Sequence, residues 1–344
     1  MARGALHARR AARRAGWSVI ALAIAFATLA AAGAVAGDGL PLRTVANVSL
    51  PGPSNRFDYT SIDPTTRRLW IAHMDGGQLL AFDVRRRRVV RTIQAPGVHG
   101  VIAVPRIGRV YASATDDHEL LTIDAGTGRV LRHADAGEYP DGLAYDPAVR
   151  RVFVSDESGG VEAVFGQGGK RVGTVELGGE AGNVQYDPGS RRILVDVQTR
   201  DEVAVVDPRS LRVVRRVALP GCDHPHGLNV DAPRRLAFVA CDGNARLVTL
   251  DLHSVRPNGM QSVGSSPDVL AFDPALRRLY VAAESGEVAV FAERGRRLVK
   301  LGQAFLADEA HTVAVDPRTH LVYFPLERGS SGRPQLRVMA PVRR

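Results

Sequence analysis

The sequence lacks most of the short motifs that identify an active site directly. It has no Cys-x-x-Cys-His for covalent haem, no Gly-x-Ser-x-Gly nucleophile turn and no His-Glu-x-x-His zinc helix. Only two of its 344 residues are cysteines, and 6% are aromatic. Helical periodicity is absent throughout, whereas 45% hydrophobic residues suffice for a sizeable core. We therefore expect a folded protein built from strands.

Acidic residues are missing from the first 36 positions, which carry five arginines followed by an uncharged run from Trp17 to Gly37. A basic start, an apolar stretch and the small-x-small site Ala34-Val35-Ala36 are typical of an export signal. We predict residues 1–36 to be a signal peptide, with a retained N-terminal anchor as the alternative. The predicted location is periplasmic or secreted, or, for the anchor, the inner membrane with the body facing the periplasm.

The remaining chain, residues 37–344, has no segment apolar enough to span a membrane. Removing the signal takes away five positive charges and no negative ones, so the formal net charge falls from +9 to about +4. The high isoelectric point is therefore partly a property of the signal, and it is a weak indication of a nucleic-acid partner.

A repeat of about 42 residues covers nearly everything after the signal. Within each copy, four short runs rich in Val, Leu and aromatic residues are separated by Asp-Pro, Gly and Arg-Arg turns, a pattern that predicts one β-propeller blade. Equivalent positions in the seven copies are 41, 42, 41, 44, 42 and 43 residues apart; they are Asp58, His99, Asp141, Gly182, His226, Asp268 and His311.

The predicted fold is all-β, a seven-bladed β-propeller formed by residues 37–344. The seventh copy stops after its third strand, QLRVMAPV, whereas LPLRTVANVSLPG near the mature N-terminus resembles the fourth strand of another copy. We expect the strand near residues 41–50 to complete the last blade and so remove an exposed edge.

The repeated core Asp-Pro-x-x-Arg-Arg-[Leu/Val]-[Tyr/Phe/Trp]-Val-[Ala/Ser] resembles the YVTN/YncE-like seven-bladed propellers, exported bacterial proteins related to surface-layer and lactonase-like repeats. The resemblance covers about residues 41–344. It implies the fold, but it leaves the function open, because propellers host binding proteins, lyases, lactonases and metal enzymes alike.

The seven equivalent positions, here called the ring, are expected at the top mouth of the central channel. Three are His, three are Asp and one is Gly, whereas a solvated loop would favour Ser, Asn and Gly. Imidazoles and carboxylates together predict a divalent metal, such as zinc, copper or calcium. The predicted ligands come from neighbouring blades: His226, Asp268, His311 and Asp58. Capping of the strand ends by the same side chains is the alternative.

A second layer of residues follows sixteen positions after each ring residue, and four of its seven members are acidic. These acids and two further ring residues are the predicted contacts of a small ligand or partner protein at the top face: Glu157, Asp242, Glu284, Glu327, His99 and Asp141.

The two cysteines, Cys222 and Cys241, are both expected at the top of blade 5. In an oxidising compartment a disulfide is favoured, which would close a loop of about twenty residues and stabilise the fold by roughly 3 kcal/mol. Metal ligation together with His224 and His226, and free thiols, are the alternatives.

The opposite, bottom face collects the arginine pairs, which fall in turns between strands. Aromatic residues that would stack bases are not interleaved with them, so we expect solvated turn residues and no nucleic-acid partner.

For function, the sequence favours a monomeric binding scaffold that is not an enzyme. The alternative is a hydrolase or lyase of the lactonase kind, with a metal at the same place activating water. Gluconolactonase-like propellers place Glu, Asn and Asp around one calcium, and this chain has His there, which is why the scaffold is favoured.

Overall fold

The structure is a computed structural model that describes residues 39–342. The predicted signal peptide, residues 1–36, lies outside the described residues. Twenty-eight strands form seven four-stranded antiparallel sheets arranged as a seven-bladed β-propeller, which confirms the predicted fold class. Between residues 39 and 342 there is no helix long and apolar enough to cross a membrane.

The first strand, β1 (Leu42–Ser49), belongs to the last blade, and the other strands follow blade by blade from the channel outward. Blades 1 and 2 contain β2 (Thr60–Asp63), β3 (Arg68–His73), β4 (Gln78–Asp83), β5 (Arg88–Gln94), β6 (Val98–Val104), β7 (Arg109–Ala114), β8 (Glu119–Asp124) and β9 (Val130–Asp135). Blades 3 and 4 contain β10 (Pro140–Asp146), β11 (Arg151–Asp156), β12 (Val161–Gly166), β13 (Arg171–Glu176), β14 (Ala181–Asp187), β15 (Arg192–Val197), β16 (Glu202–Asp207) and β17 (Arg212–Ala218).

Blades 5 and 6 contain β18 (Pro225–Asp231), β19 (Leu236–Cys241), β20 (Arg246–Asp251), β21 (Arg256–Ser262), β22 (Pro267–Asp273), β23 (Arg278–Ala283), β24 (Glu287–Arg294) and β25 (Arg297–Phe305). Blade 7 contains β26 (Ala314–Val315), β27 (Val322–Leu326) and β28 (Gln335–Pro341), with β1 as its outer strand. Short 3-10 turns are formed by Pro105–Ile107, Thr115–Asp117, Gln198–Arg200 and Asp242–Asn244.

The propeller closes as predicted, because strands from the two ends of the described chain pair in the last blade. β1 pairs antiparallel with β28, from Leu42 opposite Pro341 to Ser49 opposite Gln335. The inner strand of each blade contacts the inner strands of its neighbours, and β26 contacts β2 across the closure.

The apolar core lies between the blades. Second and third strands read as nearly continuous apolar runs because neighbouring blades cover both of their faces, so that Leu69–His73 of β3 is entirely buried. Outer strands such as β5 are half exposed. The inner strands of all seven blades line a central cavity with both polar side chains, such as Asn183 and Asn229, and apolar ones, such as Leu228 and Val313.

An aspartate ends the first strand in five blades and directly follows it in blade 7, and it shapes the next turn. Asp63 Oδ1 accepts hydrogen bonds from the backbone N–H groups of Thr65 at 2.7 Å and Thr66 at 3.1 Å. The residue four positions after the aspartate has a left-handed backbone; for Arg67, φ is 60°. These turns lie on the bottom face, whereas the loops after each second strand and the segments leading into each first strand lie on the top face.

Three of the left-handed residues also bind the turn aspartate of the preceding blade. The pairs are Arg67 with Asp316, Arg235 with Asp187, and His320 with Asp273. Some bottom-face arginines, which were expected to be solvated turn residues, are thus links between blades.

Candidate metal centre at the channel mouth

Six of the seven ring positions carry ionisable side chains, and these meet around the top of the channel. Asp58 and His311 lie just before β2 and β26, and the other four are each the second residue of an inner strand. Five are buried, and the side chain of His226 is 19% exposed. The propeller thus brings residues far apart in sequence to one place.

Carboxylates and imidazoles alternate on one side of the ring. The Nε2 atom of His99 lies 3.4 Å from Oδ1 of Asp141 and 3.2 Å from Oδ2 of Asp58. Each flanking carboxylate belongs to an adjacent blade, so a repeated sequence position becomes a contact between blades.

The alternation continues on the other side. His311 Nε2 lies 3.8 Å from Oδ2 of Asp58 and 3.9 Å from Oδ2 of Asp268. His226 Nε2 lies 3.3 Å from Oδ1 of Asp268, and its Nδ1 is 3.3 Å from Oε1 of Gln198. His226 therefore flanks Asp268 from the side opposite to His311.

Asp58, Asp268 and His311, here called the metal-ligand set, offer three ligand atoms within 4.8 Å of one another, and all three residues are buried. Asp58 Oδ1 and His311 Nε2 have no hydrogen-bond partner among residues 39–342, and Asp268 Oδ1 has only its ion-pair contact with His226 Nε2 at 3.3 Å. His311 Nδ1 donates to the backbone carbonyl of Glu309 at 3.0 Å, which leaves Nε2 facing the two carboxylates. Metal-binding histidines are commonly oriented in this way.

Arg56 reaches the same carboxylates, although the sequence analysis did not single it out. Its Nε lies 2.9 Å from Oδ2 of Asp58, and one terminal nitrogen lies 3.9 Å from Oδ2 of Asp268. Its other terminal nitrogen donates to Oε1 of Glu284 at 2.9 Å. Because the guanidinium and His311 face the same two oxygens, an incoming metal ion would compete with Arg56 for them.

The ring imidazoles bind protons strongly. Burial by itself lowers their pKa, but the adjacent carboxylates outweigh it, raising the pKa of His99 to about 9 and that of His226 to about 10. The pKa of His311 is raised for the same reason. Burial opposes ionisation of Asp58, yet His99 and His311 hold its pKa well below the ordinary value. These shifts favour the protonated imidazole, so a metal ion at His311 would compete with protonation.

Blade 4 carries Gly182 in the ring, and its second strand places a carboxylate beside this glycine. Asp196 of β15 is fully buried, and a Cβ added to Gly182 would lie 3.0 Å from Cβ of Asp196 and 3.2 Å from Cα of His226. Burial raises the pKa of Asp196 well above its ordinary value, although His226 opposes this. Glycine is required here because atoms of Asp196 and of the next blade already occupy the space that a side chain would need.

A cavity of about 340 Å³ opens on the top face beside the metal-ligand set. Its lining includes four of the six predicted ligand contacts: His99, Glu157, Asp242 and Glu284. Asp141 lies deeper in the ring, where burial raises its pKa to about 6 against the opposing charges of His99 and His226.

Glu327, the remaining predicted contact, is not among the described residues that line this cavity. Burial raises the pKa of Glu327, and the nearby carboxylate of Glu309 raises it further. Glu327 therefore belongs to the blade 7 side of the top face, close to His311.

Two residues of the centre were missed by the sequence analysis, for different reasons. Arg56 has no repeat counterpart, and the only signal was an arginine outside the Arg-Arg turns, two residues before Asp58. Asp196 gave a clearer signal, because other blades have small residues at this position of the second strand, such as Ala72 and Ser155.

The disulfide predicted between Cys222 and Cys241 is confirmed; their Cα atoms are 5.3 Å apart. Cys222 lies in the loop before β18, and Cys241 ends β19. Since both sulfur atoms are bonded, they are not metal ligands alongside His224 and His226. The bond instead fixes the loop that leads to His226.

No family model matches the chain, and no curated protein matches it. Among solved structures, it is similar to one described as Kuenenia stuttgartiensis Hydrazine Synthase, with a TM-score of 0.70 over 85% of this chain and 97% of that chain. The two sequences are 13% identical, so the similarity shows a shared propeller fold and nothing about chemistry.

Proposed function

We propose that this chain is an exported propeller of the YVTN/YncE kind that binds a divalent transition-metal ion through Asp58, Asp268 and His311. The observation that carries the proposal is the convergence of three buried ligand residues from three blades, with unpartnered oxygen and nitrogen atoms among the described residues. Such atoms are costly to bury unless something binds them. Arg56 faces the Oδ2 atoms and His226 faces Oδ1 of Asp268, which leaves Oδ1 of Asp58 to be satisfied.

The ligand types favour zinc or copper over calcium. Calcium takes six to eight oxygen ligands, whereas an imidazole with two carboxylates suits a transition ion. The charge fits a divalent cation once His311 has lost its proton and Arg56 has left the two carboxylates, because Asp58 and Asp268 otherwise balance these cations. Zinc, with its usual four ligands, would leave one position open for water or a small ligand.

Export is supported by two independent features. The predicted signal occupies residues 1–36, and the disulfide between Cys222 and Cys241 suits an oxidising compartment.

Beside the proposed metal site, the cavity lined by His99, Glu157 and Glu284 offers room for a small ligand. Binding such a ligand as a scaffold requires no catalytic base.

The test is metal analysis of protein exported to the periplasm and purified without a histidine tag. We expect about one zinc or copper ion per chain in the wild type and none in Asp268→Asn/His311→Ala. The matched control is Glu119→Gln/His133→Ala, which removes an exposed carboxylate–imidazole pair on blade 2 and should keep the metal. Metal-free wild-type protein whose melting temperature is unchanged by added zinc or copper would refute the proposal.

A further inference from the structure

The bottom face carries a second feature, independent of the metal, where the repeat breaks between blades 2 and 3. At the position of the turn aspartate, blade 2 has Val104, which is followed by the 3-10 turn Pro105–Ile107. The left-handed residue of the next blade, Arg150 (φ 56°), corresponds to Arg67 and Arg235, which bind the aspartate of the blade before them. Val104 offers Arg150 no such acceptor.

The turn that replaces the aspartate adds a second guanidinium, that of Arg106. Arg106 and Arg150 are both exposed and line one cavity of about 510 Å³ together with Tyr145 and Gln167. None of the described residues that line this cavity is acidic. The neighbouring carboxylate of Asp146 is buried and accepts a hydrogen bond from the backbone N–H of Ala148 at 2.7 Å.

The aromatic wall of this cavity is Tyr145, which stacks on Tyr111 with ring centroids 6.4 Å apart. Burial raises the pKa of the Tyr145 phenol, and the charges of Arg150 and Arg106 oppose this rise, so both guanidiniums act on its oxygen. A second cavity of about 330 Å³ also touches Tyr145, and its lining is largely apolar, with Leu143 and Val230 among its members. Positive charge and apolar surface thus meet at one tyrosine.

We propose that this pocket binds a phosphate monoester that carries an apolar or aromatic group. Two guanidiniums present forked N–H donors that match phosphate oxygens, and no lining carboxylate of the described chain competes for them. The Tyr145 ring and the adjoining apolar cavity accept the organic part of the ligand. The same chemistry occurs in a free organic phosphate and in the headgroup of phosphatidic acid.

Calorimetric titration of the mature protein with phenyl phosphate and with inorganic phosphate tests the proposal. We expect phenyl phosphate to bind more tightly than inorganic phosphate, and Arg106→Met/Arg150→Met to weaken its binding at least tenfold. The control Arg191→Met/Arg209→Met removes the same charge from bottom-face turns of blade 4 and should bind like the wild type.

Val104→Asp is a second test that keeps both arginines. It restores the aspartate found in six other blades, so Arg150 should pair with it and phenyl phosphate binding should weaken several-fold. Co-sedimentation with phosphatidylcholine vesicles, with and without phosphatidic acid, separates the two sources of the ligand. Selective binding to the acidic vesicles, lost in Arg106→Met/Arg150→Met, identifies a lipid headgroup, and binding of phenyl phosphate alone identifies a free phosphate.

The proposal is overturned if the wild type binds none of these probes. It is equally overturned if the blade 4 control loses as much affinity as Arg106→Met/Arg150→Met, because the effect would then be one of net charge. Neither result would bear on the metal centre, which lies on the opposite face.

Discussion

Arg56 and Asp58 are joined through one oxygen, Oδ2 of the carboxylate, which lies 2.9 Å from Nε of the arginine. The same oxygen faces Nε2 of His99 at 3.2 Å and Nε2 of His311 at 3.8 Å. One carboxylate thus stabilises three cationic groups from three different blades or segments. An arginine in this position acts as a built-in counter-ion, and any other cation proposed to bind here would compete with it.

Replacing Arg56 by methionine should strengthen metal binding, because no guanidinium then has to leave Asp58 and Asp268. We expect the dissociation constant for zinc to fall about tenfold, equivalent to about 1.4 kcal/mol. Calorimetry at fixed pH measures it. Arg200→Met removes a different top-face arginine, one paired with Glu202, and should leave the affinity unchanged. Equal affinities of Arg56→Met and wild type would show that Arg56 does not compete with the ion.

Glu162→Gln should make the protein more stable above neutral pH. Burial raises the pKa of Glu162 well above its ordinary value of 4.5. The hydrogen bond that Ser155 Oγ donates to its Oε1 at 2.9 Å lowers the pKa, but by less than burial raises it. The folded state therefore keeps a proton that the unfolded state releases, and stability falls as pH rises above 4.5.

The amide has no proton to lose at this position, so the advantage of the variant in urea unfolding should grow from pH 5 to pH 8. Glu119→Gln, at the half-exposed first position of β8, serves as the control and should follow the wild type. A constant difference between Glu162→Gln and wild type across this range would contradict the assigned charge state.

Gly182→Ala should destabilise the fold by about 1–3 kcal/mol, as overpacking of a filled interior does. The new methyl group would lie 3.0 Å from both Cβ of Asp196 and the carbonyl oxygen of Pro225. Gly168→Ala, where an added Cβ meets nothing within 4 Å, is the control. If both variants unfold at the same denaturant concentration, the close approach of blades 4 and 5 is not as described.

Removal of the disulfide by Cys222→Ala/Cys241→Ala should lower the free energy of unfolding by about 3 kcal/mol, since the two cysteines are 19 positions apart. The unfolding of the variant should not respond to reductant, whereas that of the wild type should. A loss below about 0.5 kcal/mol would mean that the bond does not constrain the unfolded chain.

The fold could be predicted from the sequence because the same pattern of strands and turns occurs in seven consecutive copies. The incomplete seventh copy and the strand-like segment near Leu42 even predicted how the blades close. The ring was also predictable as a set of positions, since equivalent residues of a propeller share one end of the channel. Repeat spacing gives no distances, however: it predicted four ligands, and the distances add that three of them, Asp58, Asp268 and His311, form the compact set, with His226 3.3 Å from Asp268.

Repeat spacing did not reveal residues that have no counterpart in other blades, such as Arg56, or that differ in type from their counterparts, such as Asp196. Arg56 lies in an irregular segment, and its contacts to Asp58 and Glu284 depend on how that segment folds over the channel. Asp196 lies beside Gly182 but belongs to a different strand, so comparing only the residues equivalent to Gly182 in the seven blades does not find it. Arg56 and Asp196 both add an ionisable group to the centre, so its charge could not be predicted from composition and repeat spacing.

The central claim is that one transition-metal ion binds between Asp58, Asp268 and His311. Anomalous diffraction at the zinc absorption edge, from crystals of the zinc-loaded protein, tests it most directly. We expect a single strong peak about 2.0–2.2 Å from Nε2 of His311 and from an oxygen of each aspartate, with the Arg56 side chain turned away. A channel mouth without a peak, with Arg56 still bound to Asp58, would contradict the claim.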